Sequence, residues 1–468
     1  MRGNRATERV DAIVVGARCA GSAAAIALAR AGRRVVGFDR MSFPADTIST
    51  HLLWPGGLAE LRALGALERV EALGAPRMHV GFAAAAGIEV QGTYTPVDGI
   101  DYAMCVRRTG LDAELIATAR EAGARIRESN RVTDLLRDGD RIVGVRYVDD
   151  DGAEAELRAS LVIGADGRRS TVARLAGASE PYRSKPSGRA CYYAYWRDAD
   201  PAWRGVAAQW REGPELGTAF PCDDGLILVL LQPPVDRVGE FRADLAGTYR
   251  QTVEGIPGLA KRLRGCEVAT KVRSATAIES YFRRSSGAGW ALAGDAGHFK
   301  DPVTAQGIRD ALRYGRLLGD AVAPVLDDPA ALDGRLRAWE RRRERDCLAV
   351  YQWTNRLARG DGITPLEVET YRAAAGDPAL ARKLLDRFSR TRPPSAISDT
   401  ALALRLTARG LLRRDADRRA LLRSLRKELA GGIADARERI DARTSTVVPQ
   451  PANRHVKRRH SLRAASAA

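Results

Sequence analysis

Residues 10–15, VDAIVV, form an unbroken apolar run rich in β-branched side chains, the pattern of a strand buried on both faces. The alanine-rich stretch 20–31 then predicts a helix ending near Gly32, and residues 34–39, RVVGFD, a second strand. Together they make a βαβ unit of about thirty residues, the normal size of that motif. LLWPGGLAELRALGALERV reads as a loop and a helix, and RRTGLDAELIATAREAGARI as an amphipathic helix followed by a strand. RVTDLLR, RIVGVRYV and AEAELRA are three strands separated by the acidic-glycine turns DGD and DDDG. SLVIGADG is a further buried strand that ends in a glycine corner. Residues 181–275 change character: CYYAYWRD and GLILVLLQ, with prolines between them, predict an antiparallel sheet. GWALAGDAGH returns to the buried-strand style and leads into the helix GIRDALRYGRLLGDAVAPVL. Residues 335–432 read as charged helices, and there is no internal repeat.

Length changes this picture only by suggesting two or three domains for 468 residues. The six cysteines, Cys19, Cys105, Cys191, Cys222, Cys266 and Cys347, form no C-x-x-C pair. That argues against a metal knuckle or a disulfide scaffold and fits a reducing, cytoplasmic setting. The most apolar stretch is bounded by Arg18 and Arg30 and is too short to span a membrane; a strand precedes it, so it is no signal peptide. The formal charge of +17 is carried mostly by arginines spread along the chain without aromatic interleaving. It points to no specific nucleic acid. A basic tail explains part of it, and a substrate carried on an acidic carrier protein or coenzyme A is the alternative.

The chemistry begins at VVGARCAGSA, residues 14–23. Gly16 and Gly21 hold the outer positions of a G-x-G-x-x-G fingerprint, with Arg18 where the middle glycine belongs. Gly16 permits a tight turn, Gly21 a close helix–strand approach, and the helix amino terminus offers N–H groups to a pyrophosphate. Asp39 ends the second strand, where a carboxylate can accept from ribose hydroxyls. Arg18 can point outward from such a turn; a plain alanine helix is the competing reading. Two more strand ends carry acids: VIGADGRRS brings Asp166 and Gly167, and ALAGDAGHFKDPVTAQGIRDAL brings Gly294 and Asp295, then Pro302, Gln306 and Gly307 at the start of a helix.

These three segments, in this order, resemble the FAD-dependent class A monooxygenases with the para-hydroxybenzoate hydroxylase-like fold, over roughly residues 8–345. The amino-terminal segment is similar to the G-A-R-x-A-G-S variant in one branch, and RRTGLDAEL to the element that opens a flavin-contacting helix, which indicates Arg108. The resemblance implies an α/β fold: a Rossmann-like FAD-binding domain (8–75, 100–180 and 276–345), an inserted antiparallel-sheet substrate domain (76–99 and 181–275), a helical region (346–440) and a disordered basic tail (441–468). It implies FAD contacts at Gly16, Ala17, Cys19, Ala20, Gly21, Ser22, Asp39, Arg40, Arg108, Asp166, Gly167, Gly294, Asp295, Gln306, Gly307 and Ile308. NADH or NADPH would supply electrons, O2 would be co-substrate, and a flavin C4a-hydroperoxide would hydroxylate or epoxidise a small organic, aromatic or polyketide-like substrate. Thr50, Tyr193, Tyr195, Phe220, Pro221 and Pro302 are candidates for the substrate pocket. His51 is the candidate acid or base, the other reading being a purely positioning hydrogen bond. Three alternatives share the fold. An isoprenoid-type reductase or desaturase often carries a cysteine after the second strand, and none lies between Cys19 and Cys105. A halogenase carries a tryptophan-x-tryptophan-x-isoleucine motif, absent here. A non-catalytic flavoprotein partner is the third, and the acids at all three strand ends disfavour it.

Overall fold

The computed structural model describes residues 9–392 and 400–444. Its central sheet is built from the apolar runs. Trp290–Leu292, Glu154–Gly164, Arg9–Val15, Val35–Phe38 and Arg125–Arg127 lie side by side, all parallel. In chain order the sheet reads 5-4-1-2-3, the doubly wound arrangement in which ligands bind beyond the carboxyl ends of the strands. AEAELRA and SLVIG are one eleven-residue strand, not two. No turn residue separates them, so the chain runs straight from an antiparallel pairing with Arg141–Val148 into the parallel sheet.

The Cys19–Arg30 and Gly307–Val322 helices pack on one face of this sheet at unusually close range. A Cβ on Gly315 would stand 2.5 Å from the Ala20 carbonyl oxygen, and one on Gly319 2.6 Å from Ala27 Cβ. Small residues on both helices thus let the backbones approach.

A second, antiparallel-rich sheet carries the aromatic segments. Cys191–Arg197, Leu226–Leu231, Glu215–Pro221 and Val206–Glu212 follow one another, and Val80–Ala85 with Ile88–Thr93 complete that edge. Alternation in CYYAYWR sends Tyr193 and Tyr195 into one apolar cluster and Tyr192 and Trp196 into the other. Pro181–Pro186 leaves this sheet and pairs with Glu279–Arg283 instead.

The carboxy-terminal region is helical: Pro329–Leu357, Pro365–Ala375, Pro378–Ser389, Thr400–Leu411 and Arg418–Thr444. The first three each start with proline after a capping residue, Asp328, Thr364 or Asp377, whose side chain accepts a backbone N–H. The last runs past the expected boundary at 441 to Thr444; the rest of the basic tail, 445–468, lies outside the described residues.

Candidate active site

Four strand ends converge on one cavity. Gly16, Asp39, Asp166 with Gly167, and Asp295 all line a volume of about 640 Å³. That is within the range of roughly 300–1,000 Å³ typical of cofactor and ligand sites. The turn at its base is possible only with glycine. Gly16 adopts φ +95°, and a Cβ on Gly21 would lie 1.8 Å from the Gly16 carbonyl oxygen. The following helix has no side-chain cap, which leaves its first N–H groups available where Arg18, Cys19 and Ala20 meet the cavity. Asp39 is held by the same turn: Ala17 N donates to its Oδ2 at 2.8 Å and Met41 N to its Oδ1 at 3.0 Å.

Arg18 points away from the turn. Its guanidinium donates to Asp112, to the Ala45 carbonyl at 3.1 Å, and lies over the Phe43 ring. Asp112 is fully buried and also receives Arg108 Nη2, 2.8 Å from Oδ1 and 2.9 Å from Oδ2. The residue in the middle-glycine position therefore ties the 43–46 loop to the Arg108–Glu121 helix.

The far wall is set by Asp295, Lys300 and the amino terminus of the Gly307–Val322 helix at Gly307 and Ile308. Burial raises the Asp295 pKa, opposed by Arg168, Lys300 and Arg108. Asp166 is raised by burial too, although Ser170 and Thr171 N, the latter at 2.6 Å, donate to it. Lys300 Nζ bonds Asp310 at 2.5 Å and His298 Nε2 at 2.9 Å. An ammonium only donates, so His298 accepts through Nε2 and carries its proton on Nδ1, 3.1 Å from the Tyr281 carbonyl. His298, Asp310 and Cys347 stand close enough to ligate one metal ion. The Lys300 ammonium already supplies the positive charge between two of them.

Of the residues expected to contact the cofactor, Gly16, Cys19, Ala20, Asp39, Arg40, Arg108, Asp166, Gly167, Asp295, Gly307 and Ile308 are on the wall. Ala17, Gly21, Ser22, Gly294 and Gln306 stand behind it; Gln306 is buried and donates to the Phe388 carbonyl at 2.9 Å. Of the substrate candidates, Thr50, Tyr193 and Pro302 line the cavity and Tyr195, Phe220 and Pro221 do not. Phe220 and Pro221 belong to a strand two places from Cys191–Arg197, and Leu230 on the intervening strand reaches the wall instead. Cys191, Ala275, Ile278 and Phe299 complete an apolar side that sequence alone did not single out.

His51 is also behind the wall. It is completely buried at φ +60°, and its Nδ1 lies 2.7 Å from the Ser49 carbonyl, to which it must donate. Nε2 therefore accepts from the Tyr195 hydroxyl at 2.7 Å. Burial and the Arg108 charge lower its pKa to about 4. The ring is neutral near pH 7, with its lone pair engaged by the Tyr195 hydroxyl. Stability contributed by this depressed pKa is present above about 6.5, the unfolded value, and is lost as pH falls towards 4. His51→Gln is expected to flatten the stability–pH curve in that window, measured by urea melts. An unchanged slope would mean that the imidazole protonates without strain.

Asp301 runs the other way. Burial lifts its pKa to about 6, and its Oδ2 has no hydrogen-bond partner. The folded state then holds a proton that the unfolded chain releases near 4, so stability falls as pH rises from about 4 to 6, by roughly 3 kcal/mol. Asp301→Asn should remove this fall and raise the melting temperature at pH 8 more than at pH 4. Equal shifts at both pH values would exclude it.

The model of an FAD binding domain matches residues 9–210. Menaquinone reductase of Mycolicibacterium smegmatis is 30% identical over 329 residues, 67% of this chain and 76% of that protein. The chain belongs to the FAD-dependent class A flavoprotein monooxygenase family. This flavoprotein is also 27% identical, over 48% of its length and 54% of theirs, to a digeranylgeranylglycerophospholipid reductase of Methanosarcina acetivorans. Its fold matches the myxobacterial chondrochloren halogenase, with TM-score 0.67, 22% identity and coverage of 83% and 93% of the two chains. It also matches a probable FAD-dependent monooxygenase of Pseudomonas aeruginosa, with TM-score 0.62, 20% identity and coverage of 81% and 100%. The flavoprotein is an FAD-dependent oxidoreductase, and its cavity fits the cofactor: a glycine cradle closed to any Cβ, two helix amino termini and an acid at three strand ends. No helix among the described residues is long and apolar enough to cross a membrane.

Proposed function

We propose that this oxidoreductase is a monooxygenase that uses NADH or NADPH and O2 to hydroxylate or epoxidise a small, largely apolar organic substrate. One observation carries the reading: the cofactor cradle and an apolar wall of Cys191, Leu230, Ala275, Ile278 and Phe299 share a single cavity. Bound FAD would supply the redox and oxygen chemistry. The chain's part is then binding and exclusion of water. Asp39 and the Cys19–Arg30 helix would hold the dinucleotide half. The Gly307–Val322 amino terminus, with Lys300 beside it, would oppose negative charge at the other end. The Tyr193 phenol, its pKa pushed up to about 12, stays protonated on the substrate side. Burial likewise keeps the Cys191 thiol protonated and unreactive.

The menaquinone reductase relative favours a second reading, reduction of an isoprenoid or quinone double bond. The loop from Arg40 to Trp54 contains no cysteine, where reductases and desaturases of isoprenoid type often carry one. The two readings separate in one assay: NADH and NADPH oxidation with and without air, over phenolic, polycyclic and quinone compounds, with products analysed for oxygen from ¹⁸O2. Substrate-stimulated turnover that needs air and labels the product is expected. Anaerobic turnover yielding a reduced, unlabelled product would replace it by the reductase reading.

A further inference from the structure

The Arg418–Thr444 helix leaves an apolar seam in solvent. Leu422, Ile433 and Ile440 are 50%, 56% and 58% exposed, and Leu429, between them, is half-buried. Their spacing of seven, four and seven residues puts all four on one stripe of a 3.6-residue helix. By the same period Arg419, Arg426 and Arg437 flank the stripe on one side and Arg418 and Arg443 on the other; all five are exposed. The helix's acids mostly face inward. Glu428 and Asp435 pair with Arg356, and Glu438 with Arg183, leaving Asp441 as the exposed acid of the described helix. The charge is thus sorted: acids bind the protein, and basic residues border the seam. Beyond Thr444 the sequence adds Lys457, Arg458 and Arg459.

We propose that this helix docks the protein on an anionic lipid bilayer, lying in the plane of the surface with Leu422, Leu429, Ile433 and Ile440 inserted. An apolar stripe between basic flanks is what an interfacial helix needs, and each arginine near an anionic surface adds attraction. Charge argues against a second copy as occupant. In a two-helix seam Arg426 would fall at a core position, with Arg423 and Arg437 along the edge of the seam and no acid opposite. The docking face is independent of the reaction at the cavity, so the two proposals stand or fall separately.

The test is co-sedimentation of the full chain with vesicles of phosphatidylcholine alone or with about one-third phosphatidylglycerol. Binding only to the anionic vesicles is expected, reversed in about 1 M salt, where the screening length falls to about 3 Å. Leu422→Ser with Ile433→Ser should weaken partitioning at least about tenfold while melting temperature and flavin content stay unchanged, since both side chains are exposed. Arg419→Gln with Arg426→Gln and Arg437→Gln should do the same and reduce the salt dependence. Three results would each overturn the proposal: no binding, equal binding to neutral vesicles, or a solution dimer abolished by the double serine variant.

Discussion

Asp112→Ala is expected to lower the unfolding free energy by about 3–5 kcal/mol, the cost of breaking a buried ion pair from one side. Asp112 has no exposed surface, and two guanidiniums, from Arg18 and Arg108, converge on it. The Cys19 thiol also donates to it, at 3.4 Å. Removing the carboxylate strands the Arg108 charge, whose pKa is raised by that acid and whose side chain is only 11% exposed. Asp112→Asn keeps the shape and part of the hydrogen bonding, so it should fall between the wild type and alanine. Urea melts of the flavin-free protein measure this directly. A loss below about 1 kcal/mol for alanine would mean that water enters and solvates both arginines, and that the node does not hold the fold. Flavin titration adds a second readout, because Arg18 and Arg108 also line the cavity.

Gly21→Ala should cost about 2–3 kcal/mol and weaken FAD binding by more than tenfold. The atom that a new methyl would meet is the Gly16 carbonyl oxygen, at 1.8 Å, with Val14 Cγ1 at 3.1 Å. The first is backbone, with the Gly16 carbonyl carbon also at 2.9 Å, so the turn itself has to move, and with it the N–H groups of the helix start. Gly239→Ala is the matched control: a helical glycine with nothing within 4 Å of its built Cβ. It is expected to be neutral or to stabilise by up to about 1 kcal/mol through helix propensity. Fluorescence quenching of FAD and thermal melts on both variants separate a local clash from a general intolerance of alanine.

What was legible in the sequence was local or periodic. The β-branched runs, the glycine spacing and the acids at strand ends placed Asp39, Asp166 and Asp295 around one cavity, because in a parallel sheet all strand ends face the same way. Two-residue alternation sorted Tyr192 to Trp196 correctly between two faces. The same alternation could not say which member of a face reaches a cavity. Tyr193 does; Tyr195 turns its hydroxyl to His51, and Phe220 lies two strands away. The partner of Arg18 was out of reach for a related reason. Asp112 is 94 residues distant, and its carboxylate meets the guanidinium only through helix packing that no short-range pattern records. The hydrogen bonds of His51 depend on which ring nitrogen faces the Ser49 carbonyl, in a loop at positive φ that no periodic pattern records.

The glycine contacts between the Cys19–Arg30 and Gly307–Val322 helices make the cavity a fixed caliper. Each helix presents its amino terminus to one end of the cavity, and the bodies of the two are in backbone contact at Gly315 and Gly319. The jaws cannot open by side-chain rearrangement, because there are almost no side chains between them. A dinucleotide long enough to touch both jaws gains the second contact at the high effective concentration set by the first. A mononucleotide flavin, lacking the adenosine half expected beside Asp39, would make fewer of these contacts.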